Sequence, residues 1–141
     1  MTIDVLLVED DPADARLVEE AFNSIERSTS ISGVTTRQEA IDFLTERVDG
    51  KSTTIPDILL LDLSLPDDDG FAVLREVREN PDLVGLPVLV FTNSDAEADV
   101  HQSYELQANA YLRMPDNPDK YETVAREVIT FWVDYNRSPP G

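Results

Sequence analysis

Short apolar runs alternate along this chain with longer stretches whose apolar residues recur every three or four positions. Ile3-Asp4-Val5-Leu6-Leu7-Val8 reads as a first strand. Asp11-Pro12 then has the form of a helix start, with proline in the first turn. Leu17, Val18, Ala21, Phe22 and Ile25 share one face of that helix. Residues 31–36 read as a weak second strand, and 37–48 as a second helix with Ala40, Ile41, Leu44 and Val48 inward. A polar loop runs from Asp49 to Pro56. Ile58 to Asp62 is a third strand, followed by a loop with Pro66 and Asp67-Asp68-Asp69-Gly70. Phe71 to Glu79 is a third helix, with Phe71, Leu74 and Val77 inward. Val88 to Thr92 is a fourth strand. Asp95 to Leu106 is a fourth helix with a thin apolar face of Ala96, Val100 and Tyr104. Ala110 to Met114 is a fifth strand. Residues 118–136 read as the last and longest helix, with Tyr121, Val124, Ala125, Val128, Ile129 and Trp132 on one side. Ser138 to Gly141 should fray.

Five strands alternating with five helices predict a doubly wound α/β domain. The first, third and fourth strands are near-continuous apolar runs, as strands covered on both faces are. The second and fifth are more polar, as edge strands can be. This pattern fits a flavodoxin-like sandwich with a parallel sheet in the order 2-1-3-4-5. A single domain over 1–136 with a short tail over 137–141 is expected. No internal repeat, linker or output domain is read from the pattern.

Composition narrows the function. The 141 residues carry 11 Lys plus Arg against 29 Asp plus Glu, a formal charge of −18. So acidic a chain is ill suited to nucleic acid or an anionic membrane. Lysine occurs only at Lys51 and Lys120; the remaining cations are arginines. Two readings of the charge compete: an ordinary solvated acidic surface, and a halophilic, haloarchaeal-type surface that relies on salt to screen its self-repulsion. We carry the second forward. There is no cysteine, which excludes disulfides, thiolate catalysis and cysteine-based zinc sites. The lone His101 cannot build a multi-histidine centre and reads as an exposed helix residue. The apolar runs are far too short for a membrane span, and the start lacks a basic segment before an apolar one, so a cytoplasmic location is expected.

In an open parallel sheet, ligands sit beyond the carboxyl ends of the strands. Glu9, Asp10 and Asp11 follow the first strand, Asp62 ends the third, Thr92 the fourth, and Met114-Pro115 the fifth. Glu9, Asp10, Asp62 and a hydroxyl thus converge on one rim with no paired base. Carboxylates so close repel, and either one holds a proton or a cation sits among them. Hard oxygen ligands suit Mg²⁺, and a carboxylate beside it can act as a nucleophile toward phosphorus. Asp62, on the central strand, is best placed for that role. The Thr92 hydroxyl can donate to a phosphoryl oxygen. Asp11 and Asp67 to Asp69 are read as turn and helix-start residues.

The stretches Leu6-Leu7-Val8-Glu9-Asp10-Asp11-Pro12, Leu59-Leu60-Leu61-Asp62-Leu63-Ser64-Leu65-Pro66 with Asp69-Gly70, and Pro87-Val88-Leu89-Val90-Phe91-Thr92 together resemble the receiver domain of two-component response regulators. The resemblance spans about residues 3–135. It implies a non-enzymatic protein in which Asp62 accepts a phosphoryl group from a sensor histidine kinase. It also implies that Asp10, Asp62 and the Ser64 backbone carbonyl bind Mg²⁺, with Glu9 acting through water. Thr92 would contact the phosphoryl group, and Tyr111 would be a rotamer switch on the output face. The extended loop from Asp49 to Pro56 resembles stand-alone receivers that partner phytochrome-type kinases. Output would be by protein contact, with a homodimer through the fourth and fifth helices and fifth strand as one form of it. Phe131 and Tyr135 are the interface candidates there, and Trp132 is assigned to the core.

One position departs from that family. Receivers carry a lysine just before the proline that ends the fifth strand, and this chain has Met114. Alternation of strand side chains should turn the neighbouring Arg113 away from the rim. Three outcomes are open. The switch is retained but rewired, the domain has become a phosphate-independent scaffold, or Arg113 or a salt cation takes the lysine's place.

Overall fold

The computed structural model describes residues 2–50, 54–65 and 70–137. β1 (Ile3–Val8), β2 (Thr29–Val34), β3 (Ile58–Leu61), β4 (Val88–Thr92) and β5 (Ala110–Arg113) alternate with α1 (Pro12–Ser24), α2 (Arg37–Asp49), α3 (Gly70–Glu79), α4 (Glu97–Glu105) and α5 (Tyr121–Val128). The strands form one parallel sheet in the order β2-β1-β3-β4-β5. The expected class and strand order are therefore observed.

Alternation along the strands divides the interior into two layers. Val5, Leu7, Leu60, Leu89 and Phe91 meet α1 and α5 through Val18, Phe22, Tyr121 and Val128. Leu6, Val8, Leu61, Val88 and Val90 meet α2 and α3 through Ala40, Leu44, Leu74 and Val77 on the other face. Every residue of β3 and β4 is buried, as strands covered on both sides must be. The edges β2 and β5 are only half-buried.

The helix starts follow local chemistry. Asp11 caps α1, its Oδ1 accepting from the N–H groups of Ala13 at 2.8 Å and Asp14 at 3.3 Å. Thr36 caps α2, its Oγ1 accepting from Glu39 N at 3.1 Å.

Four expectations change. β2 begins two residues earlier than its apolar positions suggest, because its register is set by pairing Ile3 with Thr29. An edge strand tolerates the polar Thr29 and Ser30 there. α4 buries Ser103 completely and leaves Tyr104 51% exposed. The Ser103 hydroxyl donates to Asp99 O at 2.8 Å within the helix, so it needs no outside partner when buried. Ala96, expected inward, is exposed and precedes the helix. The last helix is not uniform: a 3-10 turn (Pro118–Lys120) leads into α5, and Ile129–Tyr135 continue it with wider π-type turns. Trp132 packs against the core as expected, though half-buried, and lies edge-on to Phe131 with ring centres 5.1 Å apart.

His101 is exposed, with Nε2 2.9 Å from Glu105 on the next turn. The loop acids Asp67 to Asp69 with Pro66, and the tail from Ser138, lie outside the described residues. Among the described residues, no helix is long and apolar enough to cross a membrane.

Candidate functional site

The carboxyl ends of β1 and β3 bring the predicted acids together. Glu9 N–H donates to Val34 O at 3.0 Å and Asp62 N–H to Val8 O at 3.0 Å, so ladder bonds continue just past each strand and fix both residues. Ligand oxygens of Glu9, Asp10 and Asp62 all lie within 4.8 Å of one another. Glu9 and Asp62 are buried, 3% and 8% exposed, and Asp10 faces solvent. Ser64 N–H points at Asp62 Oδ1 across 3.4 Å.

Gly70 explains how α3 reaches this rim. Its N–H donates to Leu63 O at 2.7 Å. A Cβ on Gly70 would stand 2.3 Å from Asp62 O and 2.8 Å from Leu63 Cα, both backbone atoms that cannot yield cheaply. Only glycine lets α3 start against the backbone of Asp62.

The cluster is electrostatically loaded. Burial pushes the Glu9 carboxyl from 4.5 up to about 9. The neighbouring Asp62 adds to the rise through its charge and through the hydrogen bond a protonated Glu9 would give it. The Asp11 N–H, donating to Glu9 Oε1 at 3.0 Å, works in the opposite direction. Glu9 Oε2 is buried and meets no hydrogen-bond donor. Among the described residues, none of Glu9, Asp10, Asp14 or Asp62 forms an ion pair with a cation. Three oxygen donors, one with an orphaned lone pair, fit a hard divalent cation of the Mg²⁺ type.

The β4 and β5 side of the rim is less as the resemblance implies. Thr92 is buried, 2% exposed, and its carbonyl accepts from Met114 N at 2.8 Å. Met114 is itself buried and packs in the apolar layer with Phe91 and Tyr121. A flexible thioether fills such a place well. Arg113 takes the other face: its guanidinium lies 3.7 Å from Asp95 and 3.9 Å from Asp116, so it does not take the lysine's place. Tyr111 is half-buried, and its hydroxyl donates to Ser94 O at 2.7 Å. Burial raises the pKa of that hydroxyl.

Asp14, in the first turn of α1, was not anticipated. It is half-buried, and its pKa is raised by burial and then by the charges of Asp11 and Asp62, while a hydrogen bond from the Asn93 side chain acts the other way. An acid at this place in a helix is ordinarily a partner for the helix dipole. Only its spacing of four residues from Asp10 hints that it shares the rim. Asp11, by contrast, does what a helix-start aspartate does.

Comparison with known proteins agrees with this geometry. Residues 5–126 match the family model described as response regulator receiver domain. The chain is 37% identical over 130 residues to response regulator Rcp1 from Synechocystis sp., covering 92% of this chain and 88% of that protein. It superposes on the crystal structure of the phosphorylated cyanobacterial phytochrome response regulator RcpA with a TM-score of 0.89 and 31% identity, over 99% of this chain and 100% of that one. The Mn²⁺-bound form of Rcp1 matches with a TM-score of 0.84 and 36% identity, over 98% of this chain and 99% of that one.

Proposed function

This chain belongs to the response regulator receiver family, and from that premise we propose that it is a phosphoacceptor switch acting through Asp62. The observation that carries the reading is the buried Asp62 carboxylate set against Glu9 and Asp10 at the carboxyl end of the central strand. In the transfer, an Asp62 carboxylate oxygen attacks the phosphorus of a phosphohistidine. The new O–P bond forms as the N–P bond breaks, and the electron pair stays with the imidazole nitrogen, which takes a proton from water. Such transfers need positioning and electrostatic stabilisation more than covalent help. The ladder bond from Asp62 N–H and the close approach of Gly70 supply the positioning. The Thr92 hydroxyl, at the end of the adjacent strand, donates to a phosphoryl oxygen.

Asp10, Asp62 and the Ser64 carbonyl would hold Mg²⁺, with Glu9 contributing through water. Bound there, the ion would supply positive charge to offset the carboxylates and the phosphoryl oxygens. The donor is a sensor histidine kinase, and the phytochrome-partner relatives favour a kinase of that class. Tyr111 and Ser94 carry the signal to the face of α4 and β5, where it is read by contact with another protein. The acting unit is one receiver domain over 1–136, working in the cytoplasm. Exposed Tyr104 on α4 and exposed Phe131 and Tyr135 beyond α5 favour pairing of two copies on that side.

Met114 motivates a second reading, a phosphate-independent scaffold on the same fold. Phosphorylation with acetyl phosphate and Mg²⁺ separates the two. The switch predicts one phosphoryl group by intact mass in both the wild type and Met114→Lys. Uptake by Met114→Lys alone would establish the scaffold.

A further inference from the structure

The edge of the sheet under α2 is polar where a covered strand is ordinarily apolar. Side chains on a strand alternate between faces, and Leu6 and Val8 face α2 and α3. Asp4 therefore faces that side too. So do Ser30 and Ser32, the β2 residues paired with Asp4 and Leu6. Of its own residues, α2 buries only Ala40 and Leu44. A cavity of about 230 Å³ is left there, with Asp4, Ser30, Ser32, Phe43, Arg47 and Thr54 in its walls.

Arg47 is held in a fixed attitude. Its guanidinium carbon stands 3.6 Å from the centre of the Phe43 ring, and stacking of this kind sets the plane of the donor fork. Among the described residues, Arg47 forms no ion pair, although Asp4 lines the same cavity. The side chains of Asp4, Ser30, Ser32 and Arg47 likewise take part in no hydrogen bond among the described residues. Asp4, Ser32 and Arg47 are all half-buried. Two opposite charges thus share one partly desolvated cavity without meeting, with hydroxyls beside them.

We propose that this cavity binds a small zwitterion of the free α-amino acid class. The Arg47 fork takes a carboxylate through two parallel N–H bonds. Asp4 accepts from the ammonium group, and the serine hydroxyls can donate or accept as the side chain of the ligand requires. An inorganic anion would face the like charge of Asp4, and a metal ion would face that of Arg47. The volume lies below the roughly 300–1,000 Å³ of drug-sized sites, which suits a molecule of few heavy atoms. Asp4 and Ser30 stand near the amino ends of β1 and β2, whereas Glu9 and Asp62 follow the carboxyl ends of β1 and β3. The site is therefore separate from the acidic rim and does not depend on the reading of Asp62.

The test uses the ¹⁵N-labelled full chain titrated with L-serine, with acetate and methylammonium as probes that carry one charge each. L-Serine should shift the amides of Ser30, Ser32 and Arg47 saturably, with a Kd of about 1 mM or tighter, and leave those of Glu9 and Asp62 in place. Arg47→Gln and Asp4→Asn should each weaken it about tenfold or more, with the rest of the spectrum unchanged. Acetate and methylammonium should bind the wild type weaker by a similar factor. That comparison needs no variant, so it decides the matter even where a substitution disturbs the fold. The absence of a saturable shift would overturn the proposal. Acetate binding as tightly as L-serine, or full affinity in Asp4→Asn, would make this an anion site and overturn it equally.

Discussion

Glu9 shows how much one residue's burial decides. Its carboxyl is held near pH 9 when folded, against 4.5 for the ordinary group. The folded chain therefore keeps a proton that the unfolded chain gives up, and stability must fall as pH rises across that interval. This contribution is complete below about 4.5 and is lost as pH passes about 9. A bound divalent cation needs the ionised form, so Mg²⁺ should stabilise most at the alkaline end, where no proton must be displaced. Urea unfolding between pH 5 and 9 without Mg²⁺ should show the decline, and Glu9→Gln should flatten it by one proton's worth. An unchanged slope in Glu9→Gln would remove Glu9 as the cause. Glu9, Asp10 and Asp62 are legible in the sequence because each stands where an apolar run ends, and parallel sheets place such residues on one rim. Asp14 is not, because a first-turn acid has a sufficient local explanation in the helix dipole. The site role of Gly70 is equally hidden, since its need arises from a backbone that approaches it from β3.

The elements differ in how well their patterns speak. β1, β3 and β4 are read almost to the residue, because burial on both faces makes them near-continuous apolar runs. In α4 the pattern misleads. Tyr104 looks like the inward residue, yet it is Ser103 that the helix buries completely, its hydroxyl satisfied by Asp99 O within the helix. Ser103→Leu should therefore overpack the interface and cost about 1–3 kcal/mol. Tyr104→Ser should change stability by less than about 0.5 kcal/mol. Urea denaturation of the two variants checks this, and a larger loss from Tyr104→Ser would refute the placement of α4. The change to π-type turns at Ile129 was likewise hidden, since a helical face drawn from Tyr121 to Trp132 assumes one period throughout. There Trp132 packs against the core while staying half-buried.

At the scale of the whole molecule, the charge of −18 takes on two parts. A few acids are gathered on the rim, where burial and mutual repulsion prepare them for a cation. The rest repel one another across the surface, and the few described ion pairs are largely exposed arginine–carboxylate contacts. Screening at about 1 M salt shortens the reach of that repulsion to about 3 Å. The unfolding midpoint should accordingly climb steeply with KCl, and a flat response would argue for an ordinary acidic surface instead. The fold itself is carried by the two apolar layers and was legible from period alone. What period cannot show is whether Met114 leaves the switch intact. The most direct measurement is a peptide-mapped mass spectrum after incubation with acetyl phosphate and Mg²⁺ in concentrated KCl. The account predicts one phosphoryl group on the peptide that contains Asp62, and none in Asp62→Asn. An unmodified wild type, or equal uptake by Asp62→Asn, would contradict it.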